Sequence, residues 1–359
     1  MSAVSVGLYT DANLGIASAA QAAEAAGFST LWVYDSPAVF SDTTVACVLA
    51  LEATNSIIVG PGVASPSQRP PMYTAQLLAT LSLLAPDRVV FGIGTGNSSA
   101  HSLGQRPTTM KHACEHLADV KSLVAGDEAV RDGRVTKLLH QQEPWVRTGA
   151  QVEYWVSAFG PKGRRRAAFL ADGILVRWEG EAALKQARIE IAEGARAAGR
   201  NPLSIKVGVV TMLYPYTSDQ DLESSGARAA LGPLLISRIR YLAANPPAAG
   251  TCPENLRSAL EQYGNDMGRR PASHRHLDNY LGYLVFVPPN LEYLVTTDRI
   301  RELGTVGPPS AVAAELDEMR NAGVDHVSLQ MAGDQAVYCD RFANLIEPLC
   351  PWLFARPKG

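Results

Sequence analysis

SIIVGPGVASPSQRPPMYTAQLLATLSLLAPDRVVFGIGTGNSSA, running from Ser56 to Ala100, is the stretch on which the fold turns. Ile57–Val59 and Val89–Phe91 are short β-branched and aromatic runs of the kind that form buried strands, and Thr74–Leu84 between them has the spacing of a helix. The order strand, loop, helix, strand, loop is that of two parallel strands joined by a crossover. Their loops, Gly62-Val63-Ala64-Ser65 and Gly94-Thr95-Gly96-Asn97-Ser98, are built from glycine, valine, alanine and small hydroxyl or amide residues. Loops at the carboxyl ends of neighbouring parallel strands are where α/β proteins bind ligands, because backbone N–H groups and small side chains let a flat or phosphorylated molecule come close.

The same period extends in both directions. Val4–Tyr9 reads as a strand, Asn13–Ala26 as a helix stopped by Gly27, Thr30–Tyr34 as a second strand ending at Asp35-Ser36-Pro37, and Thr43–Thr54 as a second helix. Beyond the opening stretch a helix is expected over Thr109–Ala125, then an excursion or hairpin over 126–149. Strands follow at Glu153–Ala158, Gly173–Val176 and Ile205–Leu213, with helices at Lys162–Leu170 and Glu181–Ala198. Residues 218–303 break the period with helical pieces at Ala227–Ala244 and Glu254–Tyr263, separated by Asn245-Pro246-Pro247. A helix at Pro309–Ala322, a strand at Asp325–Gln330 and a helix at Gln335–Leu349 close the chain. Eight strands alternating with helices predict one (β/α)8 TIM-like barrel over 1–359, with an insertion after strand seven that reads as a helical lid. A doubly wound sheet is the competitor, but eight such units without a change of composition would make an unusually wide open sheet.

Composition narrows the function classes. In 359 residues, 47% are hydrophobic and 19% charged, which fits a globular enzyme and not a disordered chain. A formal net charge of −3 gives no reason to expect nucleic acid or an anionic membrane as partner. Cys47, Cys114, Cys252, Cys339 and Cys350 are far apart, and the N-terminus has neither a basic region nor a long apolar run, so a reduced, cytoplasmic setting is expected. His112 and His116 stand four apart on a helix, but Glu115 beside them does not make an HExxH arrangement, and no metal is expected.

Gly92-Ile93-Gly94-Thr95-Gly96 departs by one residue from a GxGxxG dinucleotide fingerprint and, on its own, is equally a tight strand-to-helix turn. A third loop, Ser157-Ala158-Phe159-Gly160-Pro161-Lys162, leads into a helix carrying Arg164, Arg165 and Arg166. A glycine-containing turn into a helix start suits an anion, and these cations strengthen the field there; the alternative is a solvated basic face. His101 lies within reach of the Ser98-Ser99 loop. Asp35 is a candidate general acid or base, or else the residue that caps the Ser36-Pro37 turn. His274, Arg275 and His276 are either part of a lid or plain surface.

Taken together these pieces resemble the bacterial luciferase-like superfamily, in particular the branch of methylene-tetrahydromethanopterin reductase and other deazaflavin-dependent oxidoreductases. The resemblance rests on Ala23-Glu24-Ala25-Ala26-Gly27-Phe28 with Leu31-Trp32-Val33, Gly60-x-Gly62-Val63-x-x-Pro66 with Arg69-Pro70, and Ala79-Thr80-Leu81 with Arg88. It continues through Gly92–Gly96, Ser157–Lys162, Ala171-Asp172-Gly173 and Ala322-Gly323-Val324-Asp325, while 218–303 match nothing. The resemblance implies a barrel binding FMN or coenzyme F420 at its carboxyl end. It implies a non-prolyl cis peptide at Gly62-Val63 under the ring, Ser65, Thr95, Gly96 and Asn97 along the ring or ribityl chain, and the loop Ser157, Ala158, Phe159, Gly160, Lys162 around the phosphate. A homodimer is implied in the same way.

Alcohol-oxidising deazaflavin relatives carry a histidine after the second strand and an acid after the fourth; Ser36 and Asn97 stand at those places here, and neither is a base at neutral pH. The weight therefore falls on reduced FMN and monooxygenation with O2 on a small organic substrate, the reduced FMN coming from a separate flavin reductase. Coenzyme F420-dependent hydride transfer to an activated C=C or C=N bond is the near-equal alternative. A non-catalytic flavin-binding protein is a further one. The catalytic candidates are Asp35, Asn97 and His101.

Overall fold

Eight parallel strands close on themselves in a computed structural model that describes residues 4–245 and 253–354. In chain order the strands are β1 (Ser5–Thr10), β2 (Thr30–Val33), β3 (Ile58–Pro61), β4 (Val89–Ile93), β5 (Ala129–Arg131), β6 (Arg134–Thr136), β7 (Val152–Ser157), β8 (Gly173–Arg177), β9 (Lys206–Thr211), β10 (Leu213–Pro215), β11 (Thr305–Gly307) and β12 (His326–Gln330). The barrel runs β1-β12-β9-β8-β7-β4-β3-β2. The parallel register Ser5↔His326 through Tyr9↔Gln330 joins the last strand to the first, which excludes the open doubly wound sheet. Helices cover the outside at Ile16–Ala25, Thr43–Glu52, Pro71–Leu84, Met110–Ala125, Pro161–Ala167, Glu181–Ala197, Pro309–Asn321 and Gln335–Ile346.

The strands are apolar because both faces are covered, one by helices and one by the barrel's own filling. Trp32, Trp155 and His326 fill the interior: Trp32 and Trp155 meet edge to face at 6.0 Å, and the Trp32 indole N–H donates to His326 Nε2 at 3.1 Å. Ser5 Oγ lies 2.7 Å from the other ring nitrogen of His326. The close packing needs neighbours without a Cβ, since one on Gly173 would stand 2.3 Å from the Trp155 ring. Burial holds His326 neutral, pushing its pKa down to about 3.

Several expectations need amendment. The seventh strand, expected over Ile205–Leu213, is two strands: β9 stays in the barrel, while β10 turns out of it and pairs in parallel with β11. That two-stranded ladder holds the ends of the insertion side by side. The excursion over 126–149 contains the antiparallel hairpin β5-β6. A short helix, Asn97–His101, follows the fourth barrel strand directly. Within the insertion, helices run Ser225–Ala244, Glu254–Gly268 and Arg275–Tyr280, and the expected break at Pro246-Pro247 lies outside the described residues, as does Cys252. Cys47, Cys114, Cys339 and Cys350 are buried free thiols. Among the described residues no helix is long and apolar enough to cross a membrane.

Candidate active site

β3 ends in Gly60-Pro61 and the chain then turns sharply through Gly62-Val63, whose peptide bond is cis, where the resemblance places such a bond. The turn is stitched into the neighbouring strand: Ala64 N–H donates to Gly92 O at 2.9 Å and Gly94 N–H donates to Ala64 O at 3.0 Å. Val63 lies against both glycines. A Cβ on Gly92 would stand 2.9 Å from Val63 Cγ1, and one on Gly94 would stand 2.9 Å from Val63 Cγ2. Gly96 has φ +82° and sits so close to Ser65 that a Cβ would be 2.2 Å from its hydroxyl. Ser157 Cβ lies 3.6 Å from the place of a Gly94 Cβ. The fold thus brings Gly62, Val63, Ser65, Gly94, Gly96 and Ser157 to one spot at the carboxyl end of β3, β4 and β7. The missing Cβ atoms let Val63 and Ser65 seat directly against β4 and the loop that follows it.

The remaining sequence candidates are placed less uniformly. Asn97 is exposed at the start of its short helix, Thr95 is half-buried, and His101 stacks on Tyr280 of the insertion with ring centroids 6.5 Å apart. In the loop after β7, Ala158 is buried while Phe159, Gly160 and Lys162 are exposed. Half of the positive field expected there is compensated, because Arg164 pairs with Glu190 at 2.5 Å and Arg165 with Glu193 at 2.7 Å. A different cation reaches this loop: the Arg177 guanidinium, at the end of β8, lies over the Phe159 ring at 4.7 Å and over Tyr241 at 4.7 Å, and donates to the Tyr241 hydroxyl at 3.0 Å.

Asp35 is 4% exposed and both its oxygens are engaged, one accepting from Arg69 at 2.6 Å and one from Thr43 Oγ1 at 3.1 Å. Burial raises its carboxyl and Arg69 opposes the rise. In this arrangement Asp35 anchors the loop that carries Arg69, and it does not cap the Ser36-Pro37 turn. Ser36 instead shares a hydrogen bond with Ser98 at 2.7 Å.

Asp11, directly after β1, is the group that the sequence reading passed over. Its Oδ1 is enclosed and has no hydrogen-bond partner among the described residues, and burial raises the carboxyl from 3.8 to about 7. Its charge acts on the hydroxyl of Tyr34. That ring is stacked between Tyr9 at 5.3 Å and Phe40 at 5.2 Å, and its hydroxyl accepts from Gln330 Nε2 at 3.3 Å. A carboxyl that titrates near neutrality at the carboxyl end of a barrel is a natural proton donor. Its only signal in the sequence was an acid one residue past an apolar strand.

Residues 15–326 match the model of the luciferase-like monooxygenase family. The chain belongs to that family. Among its relatives, 5,10-methylenetetrahydromethanopterin reductase of Methanolobus tindarius is 26% identical over 326 residues, covering 89% of this chain and 90% of the relative. The coenzyme F420-dependent tetrahydromethanopterin reductase of Methanopyrus kandleri superposes with a TM-score of 0.66 at 20% identity, covering 97% of this chain and 99% of that one. The oxygenating constituent of 3,6-diketocamphane monooxygenase of Pseudomonas putida, in complex with FMN, superposes with a TM-score of 0.63 at 16% identity, covering 97% and 98%. The two superpositions show the barrel fold, and the family match makes the chain a luciferase-like oxidoreductase.

Proposed function

We propose that this luciferase-like barrel is a coenzyme F420-dependent reductase that delivers a hydride to an activated C=C or C=N bond of a small organic substrate. The observation that carries this reading is the likeness, through about nine-tenths of both chains, to a methylenetetrahydromethanopterin reductase. When bound, the reduced deazaflavin supplies the hydride. The chain's own residues supply position and a proton. Val63, with Gly92 and Gly94 cleared beneath it, supports the ring, Ser65, Thr95 and Gly96 line its polar side, and the Ser157–Lys162 loop with Arg177 takes the phosphate-bearing end. Asp11, protonated below about pH 7, gives its proton to the atom of the double bond that does not receive the hydride. The absent histidine and acid at Ser36 and Asn97 are then no obstacle, because the proton comes from the first strand instead.

Reduced FMN with O2 is the second reading, favoured by Ser36 and Asn97 and by the engagement of Asp35 in an ion pair, which leave the alcohol-oxidising machinery without its base. Titration with reduced F420 and reduced FMN, followed by fluorescence quenching under argon and then by oxygen uptake in air, decides between them. Tight F420 binding with no oxygen uptake supports the reductase. Tight FMN binding with oxygen uptake sinks it, and binding of the oxidised flavin without turnover points to a carrier.

A further inference from the structure

The insertion over the barrel mouth contains a charge without a counter-charge. Arg240, in the second half of the helix Ser225–Ala244, is 9% exposed, the only arginine or lysine among the described residues that is buried to this degree. Its Nη2 donates to Leu281 O at 2.9 Å, but Nε and Nη1 are enclosed and have no hydrogen-bond partner. No carboxylate among the described residues pairs with it, and the segments 1–3, 246–252 and 355–359 contain neither Asp nor Glu. Asp278, on the neighbouring helix, is directed to Arg270 at 4.0 Å. A guanidinium removed from water with two donor nitrogens unmatched is costly, and native proteins rarely keep one unless something else completes it.

The surroundings say what completes it. Tyr263, Tyr280 and Tyr283 face Arg240, and burial lowers its pKa while these hydroxyls act against the fall. Tyr263 donates to Asn279 Oδ1, which leaves its oxygen as an acceptor towards Arg240. Tyr280 and Tyr283 stand 5.0 Å apart, and Tyr280 continues the stack to His101, which belongs to the short helix beside the proposed cofactor site. Tyr283 lies by the hydroxyls of Ser237 and Ser98, the latter joined to Ser36. Arg240 is thus one aromatic layer away from the barrel mouth, at the far end of a wall of flat rings.

We propose that Arg240 is the anion-binding group of the substrate pocket, and that the substrate is an organic carboxylate whose flat body lies along Tyr280 and Tyr283 while its carboxylate accepts from Nε or from Nη1. The inference rests on the oxidoreductase reading of the barrel mouth and adds to it the chemical class of the substrate. An unmatched guanidinium N–H makes a charge-assisted hydrogen bond to a carboxylate, roughly twice as strong as the one that a neutral amide oxygen accepts.

The test uses benzoate and its neutral isostere benzamide, titrated calorimetrically into the full-length protein without cofactor. Benzoate is expected to bind saturably and benzamide not. Arg240→Gln is expected to weaken benzoate by about tenfold or more, the size of a lost charge-assisted hydrogen bond, with the affinity for the reduced cofactor unchanged. Ser237→Glu, which places an acid one turn before Arg240, keeps the test decisive should Arg240→Gln not fold. It is expected to abolish benzoate binding and to raise the melting temperature by supplying the missing counter-charge. Equal binding of benzamide, unaltered benzoate affinity in these variants, or no saturable benzoate binding to the wild type overturns the proposal. Cofactor binding without Arg240-dependent benzoate binding removes the subsite and leaves the reductase reading. Arg240-dependent benzoate binding without affinity for F420 or FMN does the reverse.

Discussion

Gly94→Ala tests whether Val63 is a fixed support. Gly94 has an ordinary negative-region backbone, so alanine adds no dihedral strain, and the whole effect is steric. The new Cβ would stand 2.9 Å from Val63 Cγ2, where ordinary contact begins at 3.4 Å, and its other neighbour, Ser157 Cβ, is comfortably placed at 3.6 Å. Val63 therefore takes the full displacement, about half an ångström. Overpacking of this kind costs about 1–3 kcal/mol. Val63→Ala alone removes two half-buried methyl groups at about 1–2 kcal/mol. In the double variant the colliding methyl is gone, so Gly94→Ala should add almost nothing to Val63→Ala, a coupling of about 1 kcal/mol or more. Urea unfolding of the four proteins measures the cycle. Titration with the reduced cofactor should show weaker binding in Gly94→Ala, about tenfold for each 1.4 kcal/mol of lost support. Additivity within about 0.5 kcal/mol, or an unaltered cofactor affinity in Gly94→Ala, would refute the placement of the ring over Val63.

Other expectations follow from the same geometry. Asp11 is raised to about 7 in the folded state and is ordinary at 3.8 when unfolded, so its ionisation costs nothing at pH 3, and the cost is complete above about pH 7. Asp11→Asn should accordingly stabilise the fold at pH 8 by about 1–3 kcal/mol and much less at pH 4, measured by denaturant titration, while lowering turnover at every pH and removing the fall through pH 7 from what activity is left. His326 is depressed to about 3 from 6.5, so the stability it contributes is present above pH 6.5 and lost as pH falls toward 3; a His326→Gln variant whose acid unfolding profile is unchanged would contradict its burial as the neutral form. Arg69→Gln leaves the Asp35 carboxylate buried and unpaired and should cost about 3 kcal/mol, whereas the double change with Asp35→Asn should recover part of it; calorimetric melting of both variants checks the order. Thr95→Trp should fill the proposed cofactor site and abolish cofactor binding with the melting temperature nearly unchanged, and unaltered affinity would refute that placement.

How much of this was legible follows from distance along the chain. The βαβ unit over Ser56–Ala100 displays its strands by composition and its loops by glycine, and both loops are local, so the sharp turn at Gly62-Val63 and the close approach of Ser65 and Gly96 fall where the sequence puts its two loops. β10 was hidden inside the run Ile205–Leu213, because the residues that leave the barrel are as apolar as those that stay; the difference lies in their pairing with Thr305–Gly307, some ninety positions on. Arg240 was unreadable for a similar reason. An arginine on a helix is ordinarily solvated, and only the packing of helices from three parts of the insertion shows that this one is buried and unmatched.

The proposed proton donor illustrates the same limit with more consequence for function. Asp11 and Tyr34 directly follow β1 and β2, and Gln330 ends β12, the strands that become neighbours when the barrel closes, with Tyr9 in register with both Gln330 and Trp32. Read along the chain, the acid expected after the fourth strand is missing and the histidine after the second is a serine, which tilted the sequence reading away from proton-coupled hydride chemistry. Closure alters that balance by bringing a desolvated carboxyl from the first strand to the mouth, next to a tyrosine held by the last. A barrel's carboxyl end is a ring, and a proton can be supplied from any strand around it; losing the groups after two strands removes a particular arrangement for alcohol oxidation without removing the capacity to protonate a reduced double bond.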